Sequence, residues 1–326
     1  MKMTSAWGPA GAGAIVLVVT LAAACNREPA PATPAPAAAP TPAPAAAAAS
    51  APLTTEQWRA KHEADYRRDF VTIAGLFPLK QGANTAGSAP GLDIVLPATT
   101  PPALGRFVLN GQQVRFEPAP GVNVMLRGTP ISAPIDLKDD RTRDVDELVV
   151  GDVRIVVHTS GDSRTIRVRD PQGAMAKEFL GFAWFDIDPA YRVVGRFVAD
   201  AQPQKLKVLN TFGDVDEYSS EGVVEFVLQG KTLRLRPFTT RPKRFYIVFK
   251  DASSGAETYE AARFLYADLL DDGTAVLDFN QAYNPPCAFN PYTTCPIPLK
   301  ENRLEVKVLA GEKAYPKVVK LPARRS

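Results

Sequence analysis

The chain has 326 residues, with 38 Lys and Arg against 35 Asp and Glu and a formal net charge of +3. That near balance gives no basic field for nucleic acid, and two histidines with three cysteines are too few for a catalytic zinc centre of the usual kind. The length supports one large or two ordinary hydrophobic cores.

In chain order, residues 1–25 read as an export signal. Lys2 supplies the charged start, Ile15–Leu21 the apolar run, and Ala22-Ala23-Ala24 the small residues that a signal peptidase accepts. Cys25 after Leu21-Ala-Ala-Ala resembles the bacterial lipobox, in which the cysteine is lipidated with palmitate among other chains. Ala22 stands where that pattern has a large aliphatic residue. Ordinary cleavage after an alanine, leaving a free thiol, is the alternative. Asn26 is not the aspartate associated with inner-membrane retention. The expected location is therefore the cell envelope, lipid-anchored at the outer membrane and facing the periplasm. Residues 26–52 are Ala/Pro-rich, with eight prolines, and cannot build a core. Alternating prolines favour polyproline II, so this stretch reads as a semi-rigid tether.

Residues 53–71 hold the best helix. Thr54 and Gln57 have capping-box spacing, and Trp58, Tyr66, Phe70 and Ile73 recur on one face. His62, one turn from Trp58 and Tyr66, reads as a packed or half-exposed histidine and not as a ligand.

Over residues 72–171 the periodicity turns to that of β-strands, with short apolar runs separated by Gly, Pro, Asn and Asp. Asn110-Gly111 and Gly151-Asp152 are hairpin signals. An antiparallel β-sandwich is expected here. GANTAGSAPGLDIVLP, GVNVMLRGTPI and LVVGDVRIVV make Leu79–Val157 similar to a forkhead-associated domain. Ser88 stands where that family has an arginine, and no Ser-x-x-His follows Leu96, so the phosphothreonine-reading residues do not carry over. Asp139–Glu147, of mixed sign, reads as a solvated loop. His158 ends a strand with no nucleophile elbow or second histidine beside it, so no catalytic triad is read there.

Residues 172–326 give a second strand series: Glu178–Asp186, Tyr191–Ala199, Lys205–Phe212, Gly222–Leu228, Thr232–Pro237 and Phe245–Asp251. A β-meander or barrel-like module is expected. Asp186 and Asp188 before Pro189 read as a helix or turn cap, with a metal site as the alternative. The fold class is thus mainly β, two packed antiparallel β modules with one N-terminal helix.

The stretch FKDASSGAETY, then ARFL, then DFNQAYNPPCAFNPYTTCPIPLKENRLEVKVLAGE, resembles the bacterial domain of unknown function 1684 family, with its DFNxAYNPPCAFxPYxTCPxPxxENRL signature. The resemblance brings no activity, cofactor or reaction with it, and no cofactor or metal is expected. Cys287 and Cys295, eight apart in an exported chain, read as a structural disulfide closing the loop, with a redox pair or thiolate metal site as alternatives. Glu257, Tyr259, Arg263, Asp278, Asn280, Tyr283, Asn284, Tyr292, Glu301 and Asn302 are the candidate binding residues, Arg263 being expected to pair with Asp278 or Glu257. Against that stands the account in which these groups satisfy the loop's own backbone. Two functions follow. One is a binding or scaffold lipoprotein presenting a rigid loop to an envelope protein or small ligand. The other is a hydrolase-type envelope enzyme in which Asp278, Glu301 or Glu257 acts as acid or base beside Tyr283 and Arg263.

Overall fold

The first described element is the helix Thr55–Tyr66, started by the expected capping box: Gln57 N–H donates to Thr54 Oγ1 at 3.3 Å and Thr54 N–H to Gln57 Oε1 at 3.0 Å. Each terminus of a helix leaves backbone groups unpaired, and this reciprocal pair satisfies two of them. The computed structural model describes residues 53–319, which form one compact unit. The assignments to residues 1–52 (signal, Cys25 and tether) lie outside them. The helix runs on into a π-helical turn, Arg67–Val71, that delivers the chain to the first strand, Ile73–Pro78.

Two sheets then make the expected sandwich. One has six strands in the order Ile73–Pro78, Ser163–Arg169, Val153–Ser160, Glu147–Val150, Val124–Leu126 and Thr129–Ile131. The other has five, in the order Ile94–Val95, Gly82–Gly87, Gly105–Asn110, Gln113–Pro118 and Ile135–Leu137. Pairing is antiparallel except between Gly82–Gly87 and Ile94–Val95. Alternate residues face inwards, as a strand's period of two requires. Phe107 and Phe116, with ring centroids 4.9 Å apart, and Leu104, Leu148, Ile155 and Ile166 fill the space between the sheets. Asn110-Gly111 does turn a hairpin, with Gly111 at φ +59, a left-handed conformation cheap only for glycine.

The second strand series differs from its expected course in two places. Tyr191–Ala199 and Lys205–Phe212 are not separate strands but parts of one strand, Arg192–Leu209, which pairs with Val215–Leu228 across an irregularity between Ala199 and Gln204. Glu178–Asp186 forms no strand. Only Trp184 bridges, to Glu312, because the segment's aromatic rings pack onto the helix: the Arg67 guanidinium lies 5.0 Å from the Phe179 ring and 5.6 Å from that of Phe182. Four strands form one sheet, ordered Lys231–Leu235, Val215–Leu228, Arg192–Leu209 and Thr274–Asp278, and three form another, ordered Phe238–Arg241, Arg244–Phe249 and Arg263–Asp268. They share a core containing Phe226, Leu235, Ile247, Leu265 and Leu277, and no sheet among the described residues closes into a barrel. Asp188 caps the short helix Pro189–Tyr191 by accepting from Ala190 N–H at 2.8 Å, the role read for it.

A third apolar cluster, including Tyr66, Phe238, Val248, Phe264, Tyr283, Phe289 and Cys295, fastens the helix and the Cys287–Cys295 loop onto the three-stranded sheet. The far end of the long hairpin reaches the sandwich. There Asn210 Nδ2 donates to Ser160 Oγ at 2.7 Å, and Gly161 N–H donates to Asp216 Oδ1 at 2.8 Å.

Candidate functional site

The loop from Asp278 to Asn302 is held by its own asparagines. Asn280 exchanges two hydrogen bonds with the Asp188 backbone, at 3.0 and 2.9 Å. Asn290 Nδ2 donates to the carbonyls of Phe70 and Ile73, and Asn302 clips Arg236 N–H, Arg236 C=O and Val248 C=O. Asn284 binds Glu312 through its N–H at 2.8 Å and the Lys313 carbonyl through Nδ2 at 2.8 Å. These groups are buried, and each satisfies backbone that proline-rich irregular chain leaves unpaired. Asp278 accepts from Asn280 and from Thr55 Oγ1 at 3.0 Å, tying the loop to the first turn of the helix.

Arg263 pairs with neither Asp278 nor Glu257. It is fully buried against an equally buried Asp251, 3.1 Å away, and donates to the carbonyls of Val308 and Ala310. A guanidinium cannot be buried unpaired, and the loop after Asn302 supplies the acceptors it needs. Gly311 follows from this. Its φ is +79, and a Cβ there would stand 2.2 Å from the Ala282 carbonyl and 2.8 Å from Arg263 Nη2. Glu257 pairs instead with Lys307 at 2.6 Å, and Glu301 with Arg236 at 2.8 Å, both near the surface. The Tyr259 hydroxyl points at the Cys287 carbonyl, 3.4 Å away, and Tyr292 is half-buried.

The expected disulfide is not formed in this structure. Cys287 and Cys295 are free thiols, both buried, with Cys295 Sγ accepting from Cys287 N–H at 3.3 Å. Against its burial, hydrogen bonds from Cys287 and Thr293 and the charge of Arg167 hold Cys295 below the usual thiol range, while burial and the neighbouring sulfur push Cys287 up.

Of the ten candidate residues, Tyr259 and Glu301 border separate small clefts of about 370 and 440 Å³, and Tyr283 borders a cleft walled by aromatic rings. This aromatic cleft has a volume of about 570 Å³ and lies between the helix and the three-stranded sheet. Trp58, Tyr218, Tyr246 and Tyr266 also border it, and the Arg244 guanidinium sits at its rim, 4.9 Å from the Tyr266 ring centroid. His62 stacks on Trp58 at 4.8 Å and lies 4.5 Å from the Tyr283 ring. Burial pushes its pKa down to about 3, so it is neutral, and its Nε2 has no hydrogen-bond partner. A neutral imidazole, tyrosine rings and a rim guanidinium can surround a largely apolar ligand and hydrogen-bond a polar group on it. A larger groove of about 840 Å³ runs past Arg67, Arg68, Arg154 and Arg169. Its arginines already face partners: Arg68 pairs with Asp65 and Asp69, Arg154 with Glu147, and Arg169 with the Asp69 carbonyl.

Thr294 also borders the aromatic cleft. Its Oγ1 lies 2.9 Å from His158 Nε2, and His158 Nδ1 lies 2.6 Å from Asp140 Oδ2. Sequence reasoning left His158 without partners because they come from 18 residues before it and 136 after it. A sandwich strand, the loop Asp139–Glu147 and the cysteine loop meet only in the folded chain. Asp140 was thus placed in a solvated run, yet it is largely enclosed, binding His158, Arg167 at 3.0 Å and Thr159 N–H at 3.1 Å.

Residues 177–313 match the model of a family described as "Protein of unknown function (DUF1684)". An uncharacterised protein of Haloarcula marismortui, solved by solution NMR, is 32% identical over 42% of this chain and 78% of its own, with a TM-score of 0.36. A forkhead-associated domain from a study of phosphothreonine-dependent interactions is 18% identical over 29% of this chain and 93% of its own, with a TM-score of 0.21. Mycobacterium tuberculosis EmbR, solved with a low-affinity phosphopeptide, is 17% identical over 36% of this chain and 32% of its own, at a TM-score of 0.21. No curated protein matches the chain.

Proposed function

We propose, for a chain that belongs over residues 177–313 to the DUF1684 family of unknown function, a cell-envelope binding module whose ligand site is the aromatic cleft. The observation that carries this is the buried His62 Nε2, without a partner, beside a cavity of about 570 Å³ walled by tyrosine and tryptophan. A buried polar atom left unpaired costs stability of the order of 1–3 kcal/mol, which a ligand's donor would recover. Roughly 300–1,000 Å³ is the size of small-molecule pockets. The ligand is therefore a small molecule, mostly apolar, with a hydroxyl or amide group facing His62. In this reading a lipid on Cys25 and the Ala/Pro tether hold the module at the outer membrane, and the Cys287–Cys295 loop serves as the rigid rear wall of the cleft.

The test is titration of the full chain with the uncharged probe N-phenyl-1-naphthylamine. Saturable probe fluorescence is expected, with quenching of tryptophan emission that Trp58→Phe largely removes. Non-saturable binding, or binding that leaves Trp58 emission unchanged, would refute the site.

A further inference from the structure

We infer that Asp140, His158 and Thr294 form an acyl-transfer relay, with Thr294 as the nucleophile and a small ester with an apolar body as the substrate class. The inference rests on reading the aromatic cleft as the ligand site, because Thr294 is the relay's member on the cleft wall.

The hydrogen-bond direction follows from chemistry. A carboxylate only accepts, so the 2.6 Å contact with Asp140 places the imidazole proton on Nδ1. Nε2 is then bare and must accept, so the Thr294 hydroxyl donates to it across 2.9 Å. This is the nucleophile–base–orienter order that acyl transfer requires. The ionisation states agree. Against its burial, His158 and Arg167 hold Asp140 below the usual carboxylate range, while burial pushes His158 below the usual imidazole range despite Asp140. A neutral base and an ionised orienter thus coexist at neutral pH.

Both ends of the relay are fixed. Arg167 Nη1 and Thr159 N–H hold Asp140. Cys295 N–H donates to Thr211 Oγ1 at 3.1 Å, Thr211 N–H to the Cys295 carbonyl at 2.8 Å, and Thr293 Oγ1 to the Asn290 carbonyl at 3.0 Å. Thr294 is therefore placed by its neighbours and not by the relay alone, as a pre-organised nucleophile should be.

In the reaction, Thr294 Oγ1 attacks the ester carbonyl carbon while its proton passes to His158 Nε2, and the carbonyl electron pair moves onto oxygen. Collapse breaks the bond to the alcohol oxygen, which takes the proton from Nε2. Water, giving its proton to the same nitrogen, then cleaves the Thr294 ester. The acid leaves, and the threonine hydroxyl is restored. No oxidant or cofactor enters.

The test treats the full chain with a fluorophosphonate probe, maps the adduct by mass spectrometry, and follows 4-nitrophenyl butyrate hydrolysis. An adduct on Thr294 is expected. Thr294→Ser should keep both activities, and Thr294→Val should lose them. His158→Gln should slow hydrolysis by about 10²–10⁴-fold. The wild-type rate should stay flat from neutral pH upwards, since the base is already unprotonated there. Should Thr294→Val melt early, the serine and glutamine variants make the same comparison. No adduct, an adduct on another residue, or undiminished hydrolysis by a folded His158→Gln overturns the relay. Probe binding without acylation would overturn the relay and leave the cleft intact. Loss of naphthylamine binding as well would remove both.

Discussion

Replacing Glu312 by Gln should make the protein more stable above neutral pH. Glu312 is 2% exposed, and burial is the main reason its pKa is raised to about 8. Asn284 and Arg263 oppose the shift and Glu63 adds to it. One oxygen accepts Asn284 N–H at 2.8 Å, a bond that both the acid and the carboxylate can accept. The folded pKa lies above the unfolded one, so the group's contribution is complete below the ordinary glutamate range and is lost as pH rises towards 8. A rise from 4.5 to about 8, at 1.36 kcal/mol per unit, corresponds to a loss of roughly 5 kcal/mol between acid and pH 9. Glutamine keeps the acceptor for Asn284 N–H and stays uncharged at every pH. Urea unfolding at pH 5, 7 and 9 checks this. Subtracting the Glu312→Gln curve removes the titrations of His62, His158 and the thiols, which both proteins share. The variant should gain on wild type by several kcal/mol between pH 5 and 9. Parallel curves, or a variant that loses ground at high pH, would refute the reasoning.

Arg263→Met should lower stability by about 3–5 kcal/mol in a denaturant titration, because it leaves Asp251 buried and unpaired, and Asp251→Asn should cost less. An effect under about 1 kcal/mol would show that the pair is not buried as described. Mild oxidation should join Cys287 to Cys295, blocking alkylation of both without changing the proteolytic resistance of the loop; continued alkylation of both would count against their contact. Cys25→Ala should abolish metabolic palmitate labelling in a bacterial host, and label retained by the variant would rule out a lipid there.

The helix and the sandwich were legible because their signals are local. Thr54 and Gln57 sit within one turn of each other, and Asn110-Gly111 forces its own hairpin. The second module was less so. Asp200 to Gln204 is polar and contains Pro203, which reads as a break, yet the strand Arg192–Leu209 absorbs it as an irregularity in pairing. Phe179, Phe182 and Trp184 give an apolar pattern that suits a strand, but their rings are taken up by Arg67 and the helix. At the site, alternation could not say whether Arg263 faced solvent or a buried acid. The partner, Asp251, lies across two turns of irregular chain. Tyr283 was found because it sits in an unusual stretch. Tyr246 and Tyr266 were missed because single tyrosines in ordinary strands carry no signal until the sheet sets them side by side, 5.0 Å apart. His62 is packed, and its orphaned Nε2, on which the proposed site rests, depends on the helix docking over Tyr283.

The most direct test of the cleft as the functional surface is the naphthylamine dissociation constant of two variants that fold like wild type, Tyr266→Ala inside the cleft and Glu301→Ala on the loop's exposed side. Loss of one stacking ring should weaken binding roughly tenfold, and loss of the loop carboxylate should change nothing. Equal affinities for Tyr266→Ala and wild type, with weakening at Glu301→Ala, would move the site to the loop's outer face and contradict the account.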